Sequence, residues 1–144
     1  MAIGFKKKLH FTIRLPGEKV VTTNHALAWR TMKRGTKAIP FSYRTDAFKT
    51  MAGAVGEQIG KYRGALKEEP YKASYIYRFP DTKYFFKNGN VRKVDLSNLH
   101  KPLEDCISQA LDLDDKFAFA LELRKEFQPE GVDRMEVQVV IETI

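Results

Sequence analysis

With 144 residues, 43% of them hydrophobic and 30% charged, the chain suits one domain spanning 1–144, since a domain of this size buries roughly 68–70% of the surface its unfolded form exposes. It carries no run of about 18 apolar residues, and the basic start MAIGFKKKLHFTIR has no apolar stretch behind it, which argues against a membrane span or a secretory leader and for the cytoplasm. The net charge of +7 and the single Cys106 point to an anionic partner and to a reducing compartment, in which that thiol serves as a small hydrophobe.

In chain order, His10 to Leu15 alternates with Phe11, Ile13 and Leu15 on one face, a half-buried strand ended by Pro16-Gly17. Lys19 to Pro40 shows no sustained period and is rich in Thr, Lys and Arg, so it is expected to be a long loop that orders on binding. Arg30, Lys33, Arg34 and Lys37 flank Gly35 there, with Trp29 nearby, a grouping suited to phosphates and a base. Asp46 to Ala65 has a helical period, with Ala47, Phe48, Met51, Val55 and Ile59 on its apolar face. Four glycines in that span, Gly53, Gly56, Gly60 and Gly64, would cost on the order of 3–4 kcal/mol against alanine in a helix interior. Close packing is therefore expected along Ala52, Gly56, Gly60 and Gly64, either against the sheet or against a second subunit.

Tyr71 to Phe79 alternates as a strand with Tyr75, Tyr77 and Phe79 together, and Asn88-Gly89 marks a hairpin between Lys83–Phe86 and Val91–Val94. Leu99, Leu103, Cys106, Ile107, Ala110 and Leu111 then form one helical face, with Asn98, Lys101, Asp105 and Gln109 opposite. Pro102 fits only near a helix start, which predicts an N-cap at Ser97 or Asn98. Beyond the helix come Asp114 and Asp115, then an apolar alternation, Phe117, Phe119, Leu121 and Leu123, and a closing strand RMEVQVVIETI. The elements predict an α/β (α+β) fold, a mixed sheet with two principal helices.

Charge is segregated. Residues 1–67 hold 14 Lys and Arg against three acids, a balance of +11, whereas residues 68–144 hold 11 against 15, a balance of −4. This layout suits a phosphate-tracking surface beside an acidic pocket that concentrates divalent cations.

A strand-helix-strand unit across 91–123 would return Asp114 and Asp115 toward Asp95, at the strand-to-helix junction. Magnesium takes oxygen ligands and is commonly held by one or two carboxylates with water and substrate phosphates, a minimum that Asp95 and Asp115 meet. Lys101 is a point charge able to stabilise a phosphorane-like centre, and Arg92 and Lys93 suit backbone contacts. Singly, Asp95 also reads as a helix-start residue and Asp114-Asp115 as a turn. His10, His25 and His100 have neither metal-ligand spacing nor cysteine partners, which disfavours zinc; G-x-x-x-x-G-K-[ST] and G-x-S-x-G are absent. A phosphoacceptor receiver domain also uses an Asp pair, but after its first strand, whereas here the pair comes late.

The series Asp95, Ser97, Asn98, Lys101, Asp105, Asp114 and Asp115 resembles the RusA-type Holliday junction resolvases, whose signature is Asp-x-Asp-Asn, a lysine three residues on, an Asp four further, and a late Asp-Asp pair. FTIRLPG with Asn24 and Trp29 downstream, the segment Phe41-Ser42-Tyr43-Arg44 and the closing strand extend the resemblance. It implies a RusA-like domain and a magnesium-dependent endodeoxyribonuclease, manganese being a possible substitute, that acts on four-way DNA junctions in bacterial or phage recombination and repair. It also implies a homodimer, since two symmetry-related strands are cut. Asp95, Lys101 and Asp115 take the catalytic places, with Asp95, Asp114, Asp115 and a water on Ser97 as metal ligands. Asn98 and Asp105 support them, and Asn24, Arg30, Lys33, Arg34, Lys37, Arg44, Arg92 and Lys93 contact DNA. Ser97 stands where the family has its second acid, which keeps open a branched-DNA-binding protein impaired in cleavage. A general nucleic-acid-binding domain is the third reading.

Overall fold

Alternating apolar residues build the central sheet. In β6 (Glu136–Thr143) every second side chain, Val137, Val139, Ile141 and Thr143, is buried, the period a strand imposes when one face is covered. The computed structural model of the protein describes residues 6–15, 27–35, 37–79, 96–127 and 134–144. Within them β6 pairs antiparallel with β1 (Lys8–Arg14) on one side and β4 (Tyr71–Phe79) on the other. β4 in turn pairs in parallel with β5 (Ala118–Phe127), giving the order β1-β6-β4-β5. The registers put Phe11, Val139 and Tyr75 in one cross-strand row and Ile13, Val137 and Tyr77 in the next.

Two helices close this face. α1 (Asp46–Ile59) is capped by Thr45, whose hydroxyl accepts the Phe48 amide at 3.3 Å, and buries Phe48, Met51, Val55 and Ile59. Gln58 ties it to β1 through the Arg14 backbone, accepting from its amide at 2.8 Å and donating to its carbonyl at 2.7 Å. α2 (Leu96–Leu111) lies in the connection from β4 to β5, since parallel strands need a crossover. It buries Leu99, Leu103, Cys106, Ile107 and Leu111, the expected face, while Ala110 is half-buried. The protein is thus an α+β domain, a mixed four-stranded sheet with two principal helices. No helix among the described residues is long and apolar enough to cross a membrane.

Several expectations are corrected. The segment 27–40 is part of a hairpin, β2 (Leu27–Arg34) with β3 (Lys37–Arg44), not a loop. Arg34 pairs with Lys37 across a two-residue turn, and Gly35 at φ +62° supplies its left-handed conformation. Pro40 is accommodated because each strand of a two-stranded sheet has an open edge.

α1 ends at Ile59 and is followed by a 3-10 turn, Gly60–Tyr62. Gly64 then sits in a turn at φ +78°. Only Gly53 and Gly56 carry the helix-interior cost, and a Cβ added at Gly53, Gly56, Gly60 or Gly64 would meet nothing within 4 Å. The expected close packing on the sheet is absent there.

α2 is described from Leu96, so Ser97 and Asn98 lie within it and Pro102 is at least its seventh residue. Proline in a helix interior forfeits a hydrogen bond and costs about 3 kcal/mol; Pro102 is buried on α2, and burial of its ring offsets part of the loss. Finally, Phe119 and Leu121 are 70% and 51% exposed although their alternation continues that of Leu123. β5 is the outer strand, paired only with β4 among the described residues.

The expected strands at 83–86 and 91–94 and the Asn88-Gly89 turn lie outside the described residues.

Candidate active site

The polar face of α2 and the turn that follows it frame an open depression of about 730 Å³. α2 stops because Asp112 adopts φ +55°, a left-handed conformation that aspartate tolerates better than most residues. The Leu113 amide bonds back to Ser108 at 2.9 Å, which turns the chain toward α2. Asp114 then caps a 3-10 turn, Asp115–Phe117, by accepting the Lys116 amide at 3.0 Å. Asp105, Asp114 and Asp115 line the same depression, with Arg44 entering from the end of β3.

The carboxylates differ in their engagement. Asp114 pairs with Lys116 at 3.5 Å and Asp105 with Lys101 at 3.4 Å. Asp115 is exposed, its backbone carbonyl accepts the Ala118 amide, and its carboxylate makes no hydrogen bond or ion pair among the described residues. Arg44 has no carboxylate partner among the described residues either, and its guanidinium stacks 4.5 Å from the centroid of the Phe48 ring. A carboxylate and a guanidinium without an opposite-charge partner at ion-pair distance among the described residues therefore share the depression. The acidic field reaches inward to Tyr71: burial, then Glu104, Asp115 and Asp114, push its phenol up to about 12.

Lys101 projects from α2 between Asp105 and Glu104, at 3.4 and 3.7 Å. Its pKa is raised above the ordinary lysine value, first by Asp105, and Asp115 contributes in the same direction. Glu104 is half-buried, and its pKa is lowered, first by the hydrogen bond to His100.

Of the sequence-selected residues, Lys101, Asp105, Asp114, Asp115 and Arg44 converge on this region. Ser97 and Asn98 are exposed in the first turn of α2. Ser97 lies eight residues before Asp105, about 12 Å along the axis. Arg30, Lys33, Arg34 and Lys37 lie on the β2–β3 hairpin, the last two as the pair that brackets its turn. Asp95, Arg92, Lys93 and Asn24 lie outside the described residues.

Among the described residues no three His, Cys, Asp or Glu side chains are grouped to hold a metal ion. The free Asp115 carboxylate, with Asp105 on the same depression, suits a hard cation that takes one or two carboxylates and fills its remaining positions with water and phosphate oxygens. Cys106 is buried and free, and burial pushes its thiol up to about 11, consistent with a packing role.

Sequence reasoning treated His100 only as a histidine without zinc spacing. It is 4% exposed. Its Nδ1 lies 2.8 Å from the Tyr77 hydroxyl and its Nε2 2.6 Å from Glu104 Oε2. The i,i+4 spacing of His100 and Glu104 was the one visible signal.

No protein-family model matches the chain, and no curated protein matches it. Among solved structures, 2C-methyl-D-erythritol 2,4-cyclodiphosphate synthase from Plasmodium vivax is similar over 96% of this chain and 96% of that one, with 8% identity and a TM-score of 0.30. A likeness at that level carries no argument about fold or function.

Proposed function

We propose that the protein is a magnesium-dependent, structure-selective endodeoxyribonuclease that resolves four-way DNA junctions, acting as a homodimer. The observation that carries this reading is the acid-lysine series from Asp95 to Asp115, three members of which, Asp105, Asp114 and Asp115, line one open depression while Lys101 pairs with Asp105.

Asp115 is the favoured ligand of the late pair, because Asp114 is already engaged by Lys116 and by the turn it caps. Asp115 and Asp95 would hold the cation, which when bound polarises the scissile phosphate and lowers the pKa of an attacking water. Lys101, kept protonated by Asp105 and Glu104, stabilises negative charge developing on the phosphate. Arg44, stacked on Phe48 without a carboxylate partner among the described residues, binds a neighbouring backbone phosphate. The β2–β3 hairpin carries four further basic residues in its sequence, which suit sequence-independent contacts along the duplex arms.

Ser97 favours a second reading, a junction-binding protein without cleavage, because a neutral hydroxyl stands where the resembled family places an acid. The experiment that separates the two is a synthetic four-way junction incubated with magnesium, wild type beside Asp95→Asn. Paired nicks from wild type alone support the nuclease. Tight binding by both proteins with no nicks from either supports the binder.

A further inference from the structure

A phenol, an imidazole and a carboxylate run in series from the sheet to the surface of α2. Tyr77 is fully buried on β4 and His100 is 4% exposed, so neither can touch a DNA substrate. Buried polar groups are costly unless they are hydrogen-bonded, and both nitrogens of this ring have partners, Tyr77 at 2.8 Å and Glu104 at 2.6 Å. The edge of the Tyr75 ring meets the imidazole with centroids 4.4 Å apart, which fixes its plane. Glu104, with its pKa lowered, is a carboxylate that can only accept, so Nε2–H donates to its Oε2. Nδ1 shares the other hydrogen bond with the Tyr77 hydroxyl.

Glu104 is the outlet of this chain. Its Oε2 receives the imidazole, and its Oε1 lies 3.7 Å from Lys101 Nζ. Lys101 is 55% exposed in its side chain and otherwise held by Asp105 at 3.4 Å. An exposed lysine explores many rotamers and is weakly held by a single surface ion pair. A carboxylate whose other oxygen is locked to a buried ring offers a fixed second point.

We infer that His100 is a positioning residue: through Glu104 it fixes the Lys101 ammonium beside Asp105, which lines the acidic depression, and the Tyr77–His100–Glu104 series is the support of that lysine. The catalytic consequence rests on the nuclease reading, whereas the ordering of Lys101 does not. In metal sites, outer hydrogen-bond partners of this kind are typically worth about 10–100-fold in affinity or activity.

The test compares wild type, His100→Leu, His100→Gln and Glu104→Gln as full chains. Gln retains a side-chain N–H for Glu104; Leu does not. The first readout is the order parameter of the Lys101 side chain, from relaxation of lysines labelled at Cε and Nζ and assigned with Lys101→Arg. Lys101 should be ordered in wild type, lose order in His100→Leu and Glu104→Gln, and regain it in His100→Gln. The second is junction cleavage with magnesium: kcat should fall about tenfold in His100→Leu with KM unchanged, and recover to within about threefold in His100→Gln. Unchanged Lys101 order in folded His100→Leu overturns the proposal, and so does a loss that His100→Gln fails to restore. If His100→Leu does not fold, Glu104→Gln with wild-type Lys101 order overturns it equally. His100-dependent Lys101 order without any cleavage by wild type supports the positioning role and removes the nuclease reading alone.

Discussion

His100 Nε2 lies 2.6 Å from Glu104 Oε2, one turn further along α2, and the contact joins a buried ring to a half-exposed carboxylate. Glu104 has its pKa lowered in the folded protein, first by this hydrogen bond. A lowered acid contributes stability that is present above its unfolded value, about 4.3, and lost as pH falls through the folded one. Glu104→Ala should therefore cost about 1–3 kcal/mol near neutral pH, where it leaves the imidazole N–H unsatisfied. Denaturant melts from pH 7 to pH 3 should show the gap to wild type narrowing below about pH 4.3. A gap that widens in acid would place the stabilising interaction elsewhere.

The two late aspartates should separate by mutation. The Asp115 carboxylate makes no hydrogen bond or ion pair among the described residues, while Asp114 caps a turn and pairs with Lys116. Asp115→Asn and Asp95→Asn should abolish cleavage and leave junction binding intact or tighter, since each removes a ligand and some repulsion of phosphate. Asp114→Asn keeps an oxygen for the cap and should cleave within about threefold of wild type, and Lys101→Ala should lose about 10²–10³-fold in kcat. Single-turnover assays with gel-shift binding measure both quantities. Loss of cleavage in Asp114→Asn with full cleavage by Asp115→Asn would reverse the ligand assignment.

Arg34 and Lys37 face each other across the Gly35 turn of the hairpin, with Arg30 and Lys33 on β2. If this hairpin tracks the duplex, log affinity should fall linearly with log salt, with a slope near −0.9 per neutralised phosphate. Replacing Arg30, Lys33, Arg34 and Lys37 together by Ala should flatten the slope by about 2–4 units. An unchanged slope would move the DNA face to other basic residues.

A Cβ at Gly56 meets nothing within 4 Å, so the folded monomer tolerates substitution there. Gly56→Ala should stabilise α1 by about 0.5–1 kcal/mol. Sedimentation of wild type at micromolar concentration should report roughly twice the 16.6 kDa chain mass if two subunits cut paired strands. If the dimer uses this face of α1, Gly56→Leu should sediment as a monomer. A dimer that survives Gly56→Leu lies on another surface.

What was legible in the sequence followed periods that burial enforces. Phe11 and Ile13, Tyr75 and Tyr77, and Val137 to Ile141 all sit at alternate positions on the covered face, and Leu99 to Leu111 keep helical spacing. The β2–β3 hairpin is hidden in the sequence because no Asn-Gly pair marks its turn at Gly35 and Pro40 argues against a strand. Pro102 predicts a helix start at Ser97 or Asn98, but its burial inside α2 overrides that preference. Lys101 and Asp105 were readable from i,i+4 spacing. The Tyr77–His100 contact joins residues 23 apart on different elements, so no local pattern encodes it.

Ser97 decides between enzyme and binder, and its place in the first turn of α2 gives a way to separate two effects of one substitution. That turn contains no acidic residue, so Ser97→Asp adds a charge that the helix dipole favours by about 0.3–1 kcal/mol. The metal-free variant should therefore melt slightly higher than wild type, whatever the protein does. Magnesium binding is a separate quantity: a carboxylate at position 97 adds an anionic oxygen ligand, whereas the hydroxyl offers only a neutral oxygen, directly or through water. Glu104 cannot substitute, being seven residues further on, about 10 Å along the axis, and occupied by His100 and Lys101. We expect wild type to cleave with magnesium or manganese, and Ser97→Asp to bind magnesium more tightly and to cleave at lower magnesium concentration. Calorimetric titration of both proteins, run beside junction cleavage, gives the result. A higher melting temperature without a change in magnesium affinity would show that this position acts on the helix alone, and cleavage gained only by Ser97→Asp would identify the natural chain as the binder.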